Sequence, residues 1–443
     1  MKKLLIISYF FAPAAKIGAV RWTKLAKYLN ATGKYDIDVI TGDYECAEDK
    51  LLAADLDKVG NVIRIPHSDS RFGFVGAGGS NIIAKKAQSK ISLVDRVKML
   101  LKKNSFVLNA IQKKLSKQDY ERSVDFCEEV KKHLGQNGGL SKYDAVISSF
   151  GPAADTLIAI WIKNNYPSVP LLMDFRDTMK IESLKKPYKK IYKDLQDEIC
   201  GKADAVVLVT KGIGDSFDNI SPEKPFEIIT NGYDTDDFCS VSAEKSDKFL
   251  MSYTGTLYDG KANFTPLFKM LSELSSEGLI DLNDVEVRYA GVQFNQLYTQ
   301  ASTHNMQHIL TDLGFIQRED AISLQHSSRI LLLGTWNTTE SHGFLSGKFL
   351  EYSASGTPIA AFISGNMGQS EMRSAIERGN FGAAYEEANK EADYVAMKQY
   401  ILDEYNAFKN GTTTFAPVAE VISGFDYKNL ASRYDELIER ITK

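Results

Sequence analysis

Residues 347–362 read "GKFLEYSASGTPIAAF". The run opens as a helix, stops at Ser355-Gly356-Thr357-Pro358, and continues as a short apolar strand. Lys348 is out of place in it. It falls in the first helical turn, where the helix dipole presents positive charge and a cation is disfavoured. Glu351 lies three residues on, close enough to pair with it. An anion held jointly by the lysine and the free N–H groups of the helix end would make a lysine useful there.

Helix and strand alternate on both sides of this stretch. The strand-like runs are "LLIIS", "YDIDVIT", "NVIRIP", "YDAVISSF", "VPLLMDF", "DAVVLVT" and "PFEIIT". After the polar stretch "SVSAEKSDK" the pattern restarts with "FLMSYTG", "VEVRYAG", "RILLLG" and "PIAAF". Such alternation predicts an α/β protein with parallel sheets and helices on both faces. The restart near Glu244 predicts two such domains, 1–240 and 241–425, with a closing segment 426–443. That segment, "NLASRYDELIERITK", carries Leu430, Tyr434, Leu437 and Ile441 on one stripe and is an amphipathic helix.

The chain has 443 residues, enough for two or three domains with cores of their own. Apolar residues make up 44% and charged residues 25%, the balance of a soluble globular protein. A net charge of −4 excludes a general nucleic-acid footprint. Cys46, Cys127, Cys200 and Cys239 are scattered, which fits a reducing compartment and argues against a disulfide framework or structural zinc. No apolar run reaches transmembrane length. "MKKLLIISYFFAPAA" has the outline of a signal peptide but reads better as a buried first strand, because helix, glycine and second strand follow at once.

One region breaks the rhythm. Between Asn81 and Lys117, inside an insertion spanning about 70–140, the local charge is +9, leaving −13 for the rest of the chain. Leu93, Val97, Leu100 and Leu101 follow helical spacing there, as do Val107, Ile111 and Leu115. The segment is either a solvated helical insertion or a basic amphipathic surface for lipid or an acidic ligand.

GxGxxG, GxxxxGK[ST], HExxH and GxSxG signatures are all missing. "DTD" at Asp234–Asp236 could be a metal-binding pair, but its turn-forming surroundings predict a loop with solvated acids, so no metal is expected. Four places join an apolar strand end to residues suited to a phosphate. Gly18 stands between a strand and a helix start in "SYFFAPAAKIGAVRW", where backbone can approach a ligand closely. Gly255 and Lys261 follow a strand in "MSYTGTLYDGK", and a lysine there can neutralise a diphosphate. Lys348 and Glu351 form the third place. Asp174, Arg176 and Asp177 in "LLMDFRDTM" form the fourth, at a strand end where parallel sheets place ligands.

Taken in order, "LLIISYFFAPAAKIGAVRWTKLAKYL", "SSFGPAADTLIA", "VPLLMDFRDTM", "ITNGYDTDDF", "YTGTLYDGK", "LGFIQRED" and "SGKFLEYSASGTPI" resemble GT-B glycosyltransferases of the family 4 type, in particular a surface-polysaccharide subgroup. The resemblance covers nearly the whole chain and is weakest over 66–136. It implies two Rossmann-like domains facing a cleft, with the C-terminal helix crossing back to the N-terminal domain. The N-terminal domain would hold the acceptor, and the C-terminal domain the nucleotide-sugar donor. Gly18 matches the glycine loop facing the donor phosphates, Lys261 the diphosphate lysine, and Glu351 the ribose-binding glutamate. Gly314, Phe315 and Ile316 match the loop that brackets the nucleobase. Three features depart from the pattern: the first glutamate of the family's pair would fall at Gly343, the usual arginine at Thr256, and the usual histidine after "VPLLMDFRD" is absent.

The expected activity is therefore sugar transfer from a nucleotide-sugar to a hydroxyl of a glycan or lipid-linked acceptor, with retention. Lys261 and Lys348 would stabilise the leaving diphosphate without metal or other cofactor. Asp174 or Asp177 would orient the acceptor or the sugar, with Arg176 as their partner. The expected location is the cytoplasm, at the inner face of the membrane if 81–117 binds anionic lipid. The alternatives are a nucleotide-sugar epimerase or phosphorylase on the same fold, or a non-catalytic binding scaffold.

Overall fold

The computed structural model describes residues 1–67, 105–181, 184–214, 217, 226–343 and 345–443. The basic residues at 81–104 lie outside them. The chain divides into two compact units, Met1–Thr230 with Leu430–Lys443, and Asn231–Asn429.

The first unit is built on a seven-stranded sheet in the order β3-β2-β1-β4-β5-β6-β7. The strands are β1 Lys2–Ile7, β2 Tyr35–Gly42, β3 Asn61–Ile65, β4 Ala145–Phe150, β5 Leu171–Phe175, β6 Ala205–Leu208 and β7 Phe226–Ile228. Every neighbouring pair is parallel. Leu4 to Ile7 are fully buried, as expected of a strand covered on both faces. The strand reading of the first residues therefore holds. The helix Ser105–Gln136, which closes the insertion, buries Phe126, Val130 and Leu134.

The second unit carries a six-stranded parallel sheet in the order β10-β9-β8-β11-β12-β13. Its strands are β8 Phe249–Thr254, β9 Val285–Ala290, β10 Leu310–Gly314, β11 Ile330–Trp336, β12 Ile359–Ser364 and β13 Gly382–Glu386. Its core gathers Met251, Tyr253, Phe264, Phe268, Leu332 and Phe362. In both sheets the strand order reverses beside the first strand, between β1 and β4 and between β8 and β11. Open parallel sheets bind ligands at such a reversal, beyond the carboxyl ends of the strands.

The chain leaves the first unit after Thr230, and the helix Tyr427–Ile441 brings it back. Leu430, Tyr434 and Leu437 of that helix are buried, as their spacing predicts. The division falls ten residues before the sequence-based boundary at 240/241 because of backbone pairing. Tyr233 donates its N–H to Phe425 O at 3.0 Å, and Tyr427 donates to Tyr233 O at 2.9 Å, which ties "NGYDTDDF" into the second unit.

Candidate functional site

In the first unit, the residues after β1, β4 and β5 meet at the strand reversal. Arg176 follows β5. Its Nε donates to Phe150 O at 3.0 Å and its Nη2 to Gly151 O at 2.6 Å. The guanidinium thus lies across the end of β4, against Gly151 and Gly18. Gly151 has φ +128°, a backbone that favours glycine, and a Cβ there would lie 2.4 Å from Arg176 Nη2. Gly18 opens the helix Ile17–Ala31, whose first turn receives no side-chain cap.

The sequence paired Arg176 with Asp174. The structure pairs Asp174 with Arg21, through Nε at 3.1 Å and Nη2 at 3.0 Å. Trp22 Nε1, Ser149 Oγ and Tyr434 OH also donate to the same carboxylate, at 2.7, 2.9 and 2.7 Å. Residues two apart on a strand share a face, but β5 ends at Phe175, so Asp174 stays in the packed layer while Arg176 turns to the end of β4. Burial alone would push the Asp174 carboxyl up; Arg21 and the hydrogen-bond donors outweigh it and hold it below the ordinary value. With no exposed surface and five donors, Asp174 is an internal anchor joining β5 to the helices Ile17–Ala31 and Tyr427–Ile441. Arg21 extends that anchor to the end of the first pass through the unit, donating to Ile229 O and Thr230 O at 2.8 and 2.6 Å. Asp177 is exposed, with Oδ1 accepting from Thr178 N at 2.8 Å.

In the second unit, Gly255 follows β8 with φ +119°. Its N–H donates to Ala290 O at 2.6 Å, and a Cβ there would lie 2.4 Å from Lys348 Cε. Lys348 stands in the first turn of the helix Gly347–Ala354, whose N-cap Ser346 accepts from Phe349 N at 3.3 Å. The Lys348 ammonium lies 5.4 Å from the Tyr253 ring centre and 5.1 Å from that of Tyr258. Lys261 stands over the Trp336 ring at 4.6 Å. The Tyr258 and Trp336 rings are themselves in edge contact at 5.1 Å, so the two lysines share one aromatic pair. Sequence reasoning did not find Tyr258, in the loop after β8, or Trp336, at the end of β11, since aromatic residues near strands look like core.

Glu351 does not pair with Lys348. It accepts from Arg318 Nε at 3.2 Å, and Arg318 Nη1 also lies 2.9 Å from Asp237 Oδ2. A partner distant in sequence thus replaces the one on the same helix. Gly314 has φ +63°, Phe315 is 59% exposed, and Ile316 packs against Leu250, Ala290 and Leu324. Gly343 has φ +74°, a backbone that a glutamate would adopt only with strain. The acids near Asp234 are not the solvated loop that the sequence predicts. Asp234 caps the short helix Thr235–Cys239, accepting from Asp236 N at 3.1 Å, and both Asp234 and Asp237 are buried.

No protein-family model matches the sequence, and no curated protein sequence matches it. Solved structures do match along the whole length. A sucrose-phosphate synthase from Thermosynechococcus elongatus is similar at a TM-score of 0.58 and 12% identity, covering 99% of each chain. A trehalose-6-phosphate protein from E. coli bound with UDP-2-fluoro glucose is similar at 0.59 and 11%, covering 99% of each chain. The lipopolysaccharide outer core galactosyltransferase WaaB, in its apo form, is similar at 0.57 and 12%, again covering 99% of each chain. At such identities the likeness is one of architecture, and the chain has the GT-B fold of two Rossmann-like domains with the last helix returning to the first.

Proposed function

We propose that the chain is a glycosyltransferase that moves a sugar from a nucleotide-sugar to a hydroxyl of a glycan or lipid-linked acceptor, with retention, in surface-polysaccharide assembly. The observation that carries this reading is the pair Lys261 and Lys348. Two ammonium groups gather on one aromatic pair beyond β8 and β11, and among the described residues neither forms an ion pair with a carboxylate. Two ammonium groups on neighbouring rings without a counter-charge suit an anion that bridges them. A nucleoside diphosphate has that charge, and the E. coli neighbour holds a nucleotide-sugar.

The donor's anomeric C–O bond to phosphate breaks as a bond to the acceptor oxygen forms on the same face. The acceptor proton passes to the departing phosphate. Negative charge grows on that phosphate in the transition state, and Lys261, Lys348 and the amides at Gly347 stabilise it there. No metal enters this scheme. Glu351, steadied by Arg318, holds the ribose hydroxyls, and Gly314, Phe315 and Ile316 border the base. In the first unit Arg176, with Asp177 beside it, faces substrate, while Asp174 acts at a distance by fixing β5. The basic segment 81–117 would bring the enzyme to an anionic membrane on the cytoplasmic side, where lipid-linked acceptors are found.

A thermal-shift screen with UDP, GDP, ADP and their hexose conjugates tests the donor site. A ligand at 100 times its dissociation constant stabilises by about 2.7 kcal/mol. A flat response to all of them would end this reading. Turnover that requires an acceptor would separate it from epimerisation and from a silent scaffold.

A further inference from the structure

We infer that Trp336, with Tyr258 beside it, is the platform on which the sugar ring of the donor rests. The inference builds on the donor site proposed above and names the residues that read its sugar.

Trp336 ends β11. The residues before it, Ile330 to Leu333, are fully buried and Thr335 is 6% exposed, whereas Trp336 is only half-buried. Its indole N–H donates to Ser341 Oγ at 2.9 Å, which fixes the ring plane. Tyr258 meets it with ring planes 67° apart. Lys261 covers the face at 4.6 Å.

The loop that delivers Tyr258 is strained. Tyr258 and Asp259 have φ of 52° and 51°, in the left-handed region where non-glycine residues cost about 1–3 kcal/mol each. Its neighbours hold it there. Gln293 and Gln296 donate to Asp259 Oδ1 at 3.2 and 3.3 Å, and Leu257 N donates to Gln293 Oε1 at 2.6 Å. Strain maintained by three hydrogen bonds puts a tyrosine ring beside a partly exposed tryptophan.

The chemistry follows from the neighbouring charges. A diphosphate bound by Lys261 and Lys348 would draw Lys261 off the indole, since a full negative charge outcompetes a ring face, whose hold on a cation is about 0.5–2 kcal/mol. The indole face so uncovered lies within a lysine's reach of the diphosphate, where the sugar is attached. An aromatic face is electron-rich and attracts the weakly positive C–H bonds that a pyranose presents on one side. The site therefore selects a hexopyranose with several C–H bonds on one face, and discriminates little by hydrogen bonding at that face.

Titration calorimetry of the full chain with UDP, UDP-glucose, UDP-galactose, GDP and GDP-mannose provides the test. The quantity read is the affinity ratio of a nucleotide-sugar to its own nucleoside diphosphate. Trp336→Leu is expected to lower that ratio about 5- to 20-fold while nucleoside diphosphate affinity holds or rises, because a competitor for Lys261 has gone. Trp336→Phe should recover most of the ratio. Tyr258→Gly suits the left-handed backbone, so it should fold and give an intermediate loss even if Trp336→Leu does not fold. If Trp336→Leu and Tyr258→Gly leave the ratio unchanged, or weaken both ligands equally, the platform is wrong although the donor site stands. If the wild type binds none of these nucleotides, the donor site itself is wrong.

Discussion

Arg176 Nη1 occupies the space in which a side chain at Gly18 would begin: a Cβ built there would lie 2.4 Å from it, and 2.7 Å from Nη2. The two residues are 158 positions apart, and their closeness joins the first helix to the end of β5. The colliding group is the far end of a flexible side chain rather than backbone. Gly18→Ala should therefore fold, helped by alanine's roughly 1 kcal/mol advantage within a helix. It should nevertheless displace the guanidinium and reduce turnover at least tenfold. Thermal melting and steady-state rates measure the two effects separately. Wild-type turnover in this variant would mean that the position of Arg176 does not matter to the chemistry.

Lys261 and Glu351 should separate chemistry from binding. Lys261→Ala is expected to lower turnover about 10²–10³-fold, the range for losing one preorganised transition-state donor. Glu351→Gln should weaken nucleotide binding more than it slows transfer, since Arg318 still has Asp237 beside it at 2.9 Å. Normal kinetics in both variants would remove the donor site from this region.

Much of the architecture could be read from apolar runs and glycine stops, because strands buried on both faces are unbroken stretches such as "LLII" and "ILLL". The two strands that escaped notice, "LTDLG" and "GAAYE", are the edge strands of the second sheet, where solvent relaxes the demand for large apolar residues. Candidate residues stood out in the sequence where one residue type is needed locally: Gly255 for its backbone, Lys348 for its odd place on a helix. Pairings were not. Arg21 meets Tyr434 at 2.6 Å across 413 residues and Arg318 meets Glu351 across 33, and no periodicity marks either one. The arginine two residues beyond Asp174 was the natural partner to choose, but β5 ends at Phe175 and Arg176 turns away to the carbonyls of Phe150 and Gly151.

Transfer should persist in excess EDTA if lysines and amides carry the electrostatic work. Loss of activity on chelation, restored by Mn²⁺ or Mg²⁺, would point instead to the acids around Asp234 and would require their burial to be relieved.

The basic segment 81–117 should bind anionic liposomes at low salt and ignore neutral ones. Each engaged Lys or Arg contributes about 1 kcal/mol near an anionic surface, and screening acts within a Debye length of about 10 Å at 0.1 M salt. Changing Lys98, Lys102 and Lys103 to Glu should abolish flotation with such liposomes and leave nucleotide affinity intact. If the wild type does not float with anionic vesicles, the membrane contact is wrong.

Asp174 should matter to the fold and carry a signature in acid. Asp174→Asn leaves the buried Arg21 guanidinium without its counter-charge, and breaking a buried pair in this way costs about 3–5 kcal/mol. The carboxyl is held below its ordinary value in the folded chain, so the unfolded chain takes up its proton first as the pH falls. Its stabilisation is thus complete above the ordinary value of about 3.9 and is lost as the pH drops below it towards the folded value. The stability difference between wild type and Asp174→Asn should therefore stay constant from pH 7 to pH 5 and narrow below about pH 4. Urea melts at each pH measure it directly. A difference that stayed flat down to pH 3 would mean that the carboxylate is not the charged partner of Arg21, and that β5 is held to the first and last helices by uncharged hydrogen bonds and packing.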